Sequence, residues 1–242
     1  MTIADIQTLT RFLTNTNSTS FTDANLLILV NNSYERIVGK LIVATSGGQW
    51  PFGDSNYTAF PDYITDLVNS QAEYDLDAIF TDTPLNIMGV EILDDSGNYQ
   101  PARPITLRKI REMGFSQSQY FEDDGFPLEY EKRENILVLY PAPDNGVTVT
   151  LTNGLKIFYL RTADVYTSAE VSTGTKTPGF PSPWHDIISY ESAYNYAIAN
   201  GLPNANFLKA EVDRKEKELL AFISERNQDE RKVMTPKKIN YI

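Results

Sequence analysis

The chain has no cysteine. Disulfides and thiolate chemistry are therefore excluded, and the chain is compatible with a reducing cytosol. There is one histidine, His185, and a single His without Cys cannot build a common zinc site. No window of 18 uninterrupted apolar residues occurs, which predicts no membrane helix. The opening MTIADIQTLTRF lacks the basic segment and apolar run of a secretory leader. Neither a Walker A loop, a Rossmann glycine pattern nor a G-x-S-x-G elbow is present. Basic residues are missing from a whole stretch: between Leu41 and Ala102 there is no Lys or Arg, while ten acids fall there, and the net charge is −11. Affinity for nucleic acid comes largely from Lys and Arg displacing counterions, so an acidic body disfavours holding it. Such a surface either keeps the protein soluble or passes close to DNA without binding it.

What the chain does have is helical periodicity at both ends. Ile3 to Leu13 is a short amphipathic segment. Thr22 is a candidate N-cap, with Asp23 in the first turn, and Phe21 and Leu26 stand at the hydrophobic-staple positions. The stripe Leu26, Leu27, Leu29, Val30, Tyr34, Ile37, Val38, Leu41, Ile42 predicts a central helix over 22–45, a rod of about 36 Å. Ser182-Pro183 opens a second helix, which Asn200-Gly201 stops. The last helix runs over 204–228, with Phe207, Leu208, Val212, Leu219, Leu220 and Ile223 on one side and the charged run KAEVDRKEKE on the other, paired as Glu211–Lys215 and Asp213–Lys217.

Between them, residues 49–177 carry short β-branched and aromatic runs separated by Gly, Asn, Asp and Pro, which is strand grammar. Strands are predicted over 63–68, 72–76, 84–93, 128–131, 136–140, 147–151 and 155–160, with Asp94-Asp95-Ser96-Gly97-Asn98 as a turn into 99–104. One short helix is predicted within 104–113, and residues 161–183 read as a return linker. The expected fold is α+β: a helical bundle built from the N- and C-terminal helices (1–48 and 178–242, with a C-terminal tail), carrying a sandwich- or barrel-like β-rich insertion over 49–177.

Candidates for chemistry are few. His185, beside Trp184 in a first helical turn, reads as a structural hydrogen-bonding group rather than a catalyst. Asp75 and Asp77, on one face of a possible strand, and Glu122-Asp123-Asp124 could mimic a carboxylate pair, but neighbours of this kind arise by chance in so acidic a chain. The chain is expected to be no enzyme and to hold no cofactor and no metal.

Four strings, in order, resemble the head-to-tail adaptor (connector) proteins of tailed bacteriophages, in the type with a β insertion. They are LLILVNNSYERIVGKLI, NYTAFPDYITDLVNSQAEYDL, ENILVLYPAPDNGVTVTLTNGLKIFYLR, and PGFPSPWHDIISYESAYNYA followed by a charged helix and ERK. They span roughly Asp23 to Lys232. The resemblance implies a structural virion protein of the neck, in the host cytoplasm during assembly. It implies a ring of about twelve copies under the portal protein, extending a channel through which DNA passes without sequence-specific binding. That ring would offer a platform to a downstream tail or stopper protein. It also implies that the C-terminal helix and tail dock on the portal. The tail suits that role: Arg231, Lys232, Lys237 and Lys238 would meet an acidic surface, with Val233, Met234, Ile239, Tyr241 and Ile242 as apolar anchors. Asp54, Asp94 and Asp95 are candidates for an acidic channel-lining or docking surface. The alternative reading is a carbohydrate- or receptor-binding module of a phage tail, which predicts aromatic side chains on one exposed face.

Overall fold

The computed structural model describes residues 1–45, 53–80, 84–114 and 123–226. It divides into two compact units, one of Met1–Thr58 with Ala163–Ile242 and one of Ala59–Thr162.

The second unit is a single curled, mixed sheet of seven strands: β1 Asp62–Thr65, β2 Glu73–Asp75, β3 Asn86–Leu93, β4 Tyr99–Pro104, β5 Glu129–Arg133, β6 Ile136–Tyr140 and β7 Leu155–Leu160. Their spatial order is β1-β7-β3-β4-β5-β6-β2. All pairs are antiparallel except β4 with β5, where Arg103 faces Glu129 and Pro104 faces Tyr130. Alternation along the strands sends Ile87, Val90, Ile92, Ala102, Leu155 and Ile157 to the concave side, where they pack with Leu67, Tyr74, Leu137 and Leu139. A bulge at Met88 shifts the register between Ile87 and Gly89, which keeps both Ile87 and Val90 facing in. β6 is buried on both faces. Leu137 and Leu139 enter the concave core, while Val138 and Tyr140 pack against Ile105 and Ile110. Ile110 belongs to the short helix α4 (Leu107–Glu112); α3 (Leu76–Ile79) follows directly on β2.

The first unit contains α1 (Ile3–Thr14), α2 (Asp23–Thr45), α5 (Ser168–Thr173), α6 (Asp186–Ala199) and α7 (Ala205–Arg226). A capping box between Thr2 and Asp5 starts α1, and Asn15 in the left-handed region ends it. Leu26, Val30, Tyr34, Ile37, Val38 and Leu41 form the buried stripe of α2. Helix α6 turns small and apolar residues inward, and Ser192 meets Ser33 of α2 at 3.2 Å between hydroxyls, a close approach that larger side chains would forbid. Gly201, at φ +63°, ends α6.

These observations correct the expected fold. The chain is α+β with a sheet-dominated core, a half-barrel of seven strands with seven α-helices among the described residues, and not a bundle of N- and C-terminal helices. The insertion is also neither sandwich nor barrel. The strands form one continuous layer with β1 and β2 at its two ends. The physical reason is that β4 links the two halves through its parallel pairing with β5, so the layer curls over its own apolar side and no second sheet is needed to cover it. Residues 147–151, expected as a strand, contribute only an isolated bridge from Val149 to Asp94.

A Cβ on Gly154 would lie 2.1 Å from the carbonyl oxygen of Thr150 and 2.8 Å from Leu67 in the core. Gly154→Ala is expected to destabilise the sheet unit by about 1–3 kcal/mol through overpacking. The check is the urea midpoint of unfolding, and a midpoint equal to that of the native chain would refute the close approach.

Candidate functional site

Helix α2 carries Tyr34 on its buried face, and the loop after residue 52 carries Asp54; both are buried. The Tyr34 hydroxyl donates to Asp54 Oδ2 in a short hydrogen bond. Asp54 Oδ2 also accepts the backbone N–H of Asp164 at 3.0 Å, and Oδ1 accepts that of Asn56 at 3.0 Å. The Tyr34 oxygen in turn accepts the N–H of Gly179 at 2.7 Å. The Asn56 side chain reaches the Thr177 carbonyl at 2.9 Å. One carboxylate and one phenol thereby fasten the chain where it leaves the helical unit, where it re-enters it, and where it approaches α6.

The rings of Tyr166 and Phe180 lie 5.5 and 6.0 Å from that of Tyr34. Burial, then the hydrogen bond and charge of Asp54, raises the Tyr34 phenol far above its ordinary value, so it stays protonated and donates. Burial likewise raises Tyr166. A Cβ on Gly179 would stand 1.5 Å from Asp54 Oδ1. The backbone of Gly179 therefore fills the space beside the carboxylate. The arrangement fixes chain segments.

Ion pairs add a second set of ties, a charge ring, within the same unit. Lys176 lies 3.1 Å from Asp164 and 2.9 Å from Glu170, and its ammonium stands over the Tyr166 ring. Burial works against the Glu170 carboxylate. The Lys176 ammonium and the N–H and hydroxyl of Thr167 outweigh it and hold Glu170 below its ordinary value. Between the helices, Arg36 of α2 grips Glu191 of α6 and Glu216 of α7, and Lys40 reaches Glu216 at 2.6 Å. Glu191 is buried, its Oε2 has no hydrogen-bond partner, and burial raises its pKa against the pull of Arg36. Lys215 of α7 pairs with Asp186 of α6 at 2.6 Å.

His185 is buried, with Nε2 2.7 Å from the Phe180 carbonyl and Nδ1 3.0 Å from Met1 N. Burial lowers its pKa. The neutral tautomer that donates from Nε2 and accepts at Nδ1 satisfies both contacts. Among the described residues no group of three or more His, Cys, Asp or Glu is placed to hold a metal ion.

The structure separates the residues expected to form an acidic surface. Asp54 is buried in the knot, which corrects its assignment to a channel or docking surface; its oxygens are taken up by Tyr34 and two backbone N–H groups. Asp94 and Asp95 lie in the β3–β4 turn of the sheet unit, Asp95 exposed. Asp94 accepts Asn98 N at 2.8 Å and Gln100 Nε2 at 3.0 Å, and these bonds hold its pKa low. Asp75 and Asp77 do not share a strand face. Asp75 caps α3 by accepting Asp77 N, and Asp77 accepts Asn135. Arg231, Lys232, Val233, Met234, Lys237, Lys238, Ile239 and Tyr241 lie outside the described residues.

Sequence reasoning missed the knot because its members, Tyr34, Asp54, Asp164 and Gly179, are scattered along the chain. A trace of the charge ring was visible: Arg36 lies between Tyr34 and Ile37 of the α2 stripe, and Glu191 follows Ile187 and Ile188 by one turn. A charge inside an apolar stripe asks for a partner. Scanned against protein-family models the chain matches none, and no curated protein sequence matches it.

Asp54→Ala, which strands a phenol and two backbone N–H groups, is expected to lower stability by roughly 2–4 kcal/mol, and Tyr34→Phe by about 1–2 kcal/mol, in urea titrations. Equal, negligible losses would contradict the knot. For Glu170 the unfolded carboxyl titrates near 4.5 and the folded one below it. Its contribution is therefore complete above 4.5 and is lost as pH falls through the folded pKa. Glu170→Gln should give a shallower loss of stability on acidification, read as urea midpoints against pH.

Proposed function

We propose that the chain is a structural protein of a tailed-phage neck, an adaptor that assembles as a ring of about twelve copies beneath the portal. The ring continues the DNA channel and offers a platform to the next tail component. The observation that carries this reading is that the buried ionisable groups of the helical unit are spent on holding chain segments together. Tyr34, Asp54, Glu191 and His185 all contact the protein's own backbone or helices, which suits a protein whose work is to hold a defined contact surface. The resemblance of the four sequence strings to adaptors points the same way. The surface of the sheet unit adds support. Asp66, Glu73, Asp75, Asp77 and Asp95 are exposed, in a stretch with no basic residue. Within a Debye length of about 8 Å such carboxylates repel phosphates, so DNA slides past them without adhering.

A receptor- or carbohydrate-binding role has one observation in its favour. Phe60 is exposed and packs edge-on to Phe158, and Lys156 lies over the rings of Phe158 and Tyr99 on the same sheet face. The polar atoms there are already engaged, Tyr99 Oη with the Asn153 carbonyl and Lys156 with Asp62, so few remain to read sugar hydroxyls.

Mixed with the portal ring of its own phage, the chain should add a collar visible by negative-stain electron microscopy. Removal of residues 231–242 should abolish the collar while leaving the far-UV circular dichroism unchanged. No collar with the full chain, or an unaltered collar with the shortened one, counts against the reading; glycan-array binding by the isolated chain would favour the alternative.

A further inference from the structure

The chain holds three Asn-Gly pairs, Asn145-Gly146, Asn153-Gly154 and Asn200-Gly201, and all three lie among the described residues. Such a pair is chemically labile, because glycine has no Cβ to obstruct attack by its backbone nitrogen on the preceding side-chain carbonyl. The attack needs a free Asn side chain and a peptide able to turn towards it. The fold meets these conditions unequally.

At Asn153 the peptide is pinned on both sides. Asn153 N–H donates to Asp66 Oδ1 at 2.7 Å, and its carbonyl accepts the Tyr99 hydroxyl at 2.7 Å. Gly154 N–H donates to the Leu151 carbonyl at 3.1 Å, and the Gly154 carbonyl accepts Leu93 N–H at 2.9 Å. Gly154 is also buried against Thr150 and Leu67. At Asn200 the side chain itself is held, its Nδ2 donating to the Tyr196 carbonyl at 2.9 Å. The N–H groups of Asn200, Gly201 and Leu202 close the end of α6 on Tyr196, Ile198 and Ala197. Asn145 differs from both. It lies in the loop between β6 and β7, it and Gly146 are exposed, and its side chain makes no hydrogen bond among the described residues. One bond restrains the pair, from Gly146 N–H to the Asp144 carbonyl at 2.9 Å across a three-residue turn. The frame around it is firm, since the Asp144 carboxylate accepts Val147 N–H at 2.9 Å and the Thr148 hydroxyl at 2.7 Å.

We propose that Asn145 is a site of spontaneous deamidation, and that the fold directs this chemistry to it and away from Asn153 and Asn200. The Gly146 nitrogen loses its proton and bonds to Asn145 Cγ. The side-chain amide nitrogen leaves as ammonia, and a cyclic succinimide remains. Water, the one co-reactant, then opens the ring at either carbonyl. One opening gives an aspartyl residue in the ordinary backbone. The other gives an isoaspartyl link, in which the chain runs through the former side chain and is longer by a methylene. Both products add a carboxylate to the sheet unit, whose surface already carries exposed acids. The isoaspartyl product also lengthens the chain inside the loop that Asp144 closes, so its carboxylate no longer spans Val147 and Thr148 together. That loop leads into Val149, which bridges Asp94, and Thr150, whose hydroxyl donates to the Asp94 carbonyl at 2.7 Å. The modification therefore acts on the β3–β4 turn that presents Asp94 and Asp95. The inference is independent of the ring reading.

The test holds the whole chain at mildly alkaline pH and physiological temperature, folded in one arm and in urea in the other, and follows its digested peptides by mass spectrometry. In the folded arm the Asn145 peptide should exchange amide for acid about tenfold faster, or more, than the Asn153 and Asn200 peptides, the order set by at least one further hydrogen bond that each rival must give up. In urea the three should react at similar rates, since glycine follows each. Labelling by an isoaspartyl methyltransferase should mark the same peptide, and Asn145→Gln should remove the fast signal. An Asn145 peptide that keeps its amide in the folded chain would overturn the proposal. So would a folded-state rate at Asn153 or Asn200 equal to that at Asn145, or a lead for Asn145 as large in urea as in the folded chain. No portal and no second copy takes part, so these outcomes do not bear on whether the chain forms a collar.

Discussion

The hydrogen bond from the Tyr34 hydroxyl to the Asp54 carboxylate is the contact on which the helical unit depends. A buried carboxylate is tolerable only when its lone pairs are used, and here a phenol and two backbone N–H groups use them. Each donor comes from a different stretch: α2, the segment leading out towards the sheet, and the segment leading back. An apolar contact at the same place would bury as much area but would not specify which backbone atoms meet. The polar knot does specify them, because moving any one segment leaves a buried donor or acceptor without a partner. The close passage of Gly179 over the carboxylate is part of the same constraint, since no side chain fits there.

The charge ring between α2, α6 and α7 works differently. Arg36 binds two carboxylates, but Glu191 is nearly withdrawn from water and one of its oxygens is unsatisfied. Desolvation of that carboxylate offsets much of the Coulomb gain, so the net stabilisation is small, while loss of Arg36 alone would leave Glu191 buried without its cation. The ring therefore selects the register of three helices more than it stabilises them. Its cost is consistent with a scaffold that must hold a defined surface.

Much of the secondary structure is legible in the chain. Thr22 to Thr45, Ser182-Pro183, Asn200-Gly201 and the Asp94–Asn98 turn mark their elements in the residues themselves, and the observed helices and hairpin begin and end within a few positions of them. The assembly of those elements is less legible. Long periodic helices dominate a reading by pattern, so they looked like the core of the fold, whereas short strands with weak individual signals join into a single curled sheet. The linker expected over 161–183 contains α5 with its own capping box, supplies Asp164 and Gly179 to the knot, and places Lys176 against Asp164.

The residues alone settle what is local or compositional. The lack of cysteine, the acidic stretch without a base, the helix caps, and the alternation that turns Val90 with Ile92, and Leu155 with Ile157, to one face follow from chemistry that acts within a few positions along the chain. Which partner each buried polar group takes was decided only in three dimensions. Lys215 looked paired with Glu211 one turn away and instead reaches Asp186 on the neighbouring helix; Asp54 looked like a surface acid and is buried under Gly179. Such partners meet only after the backbone has closed loops of many residues. Burial then makes one partner obligatory among several that the sequence left open.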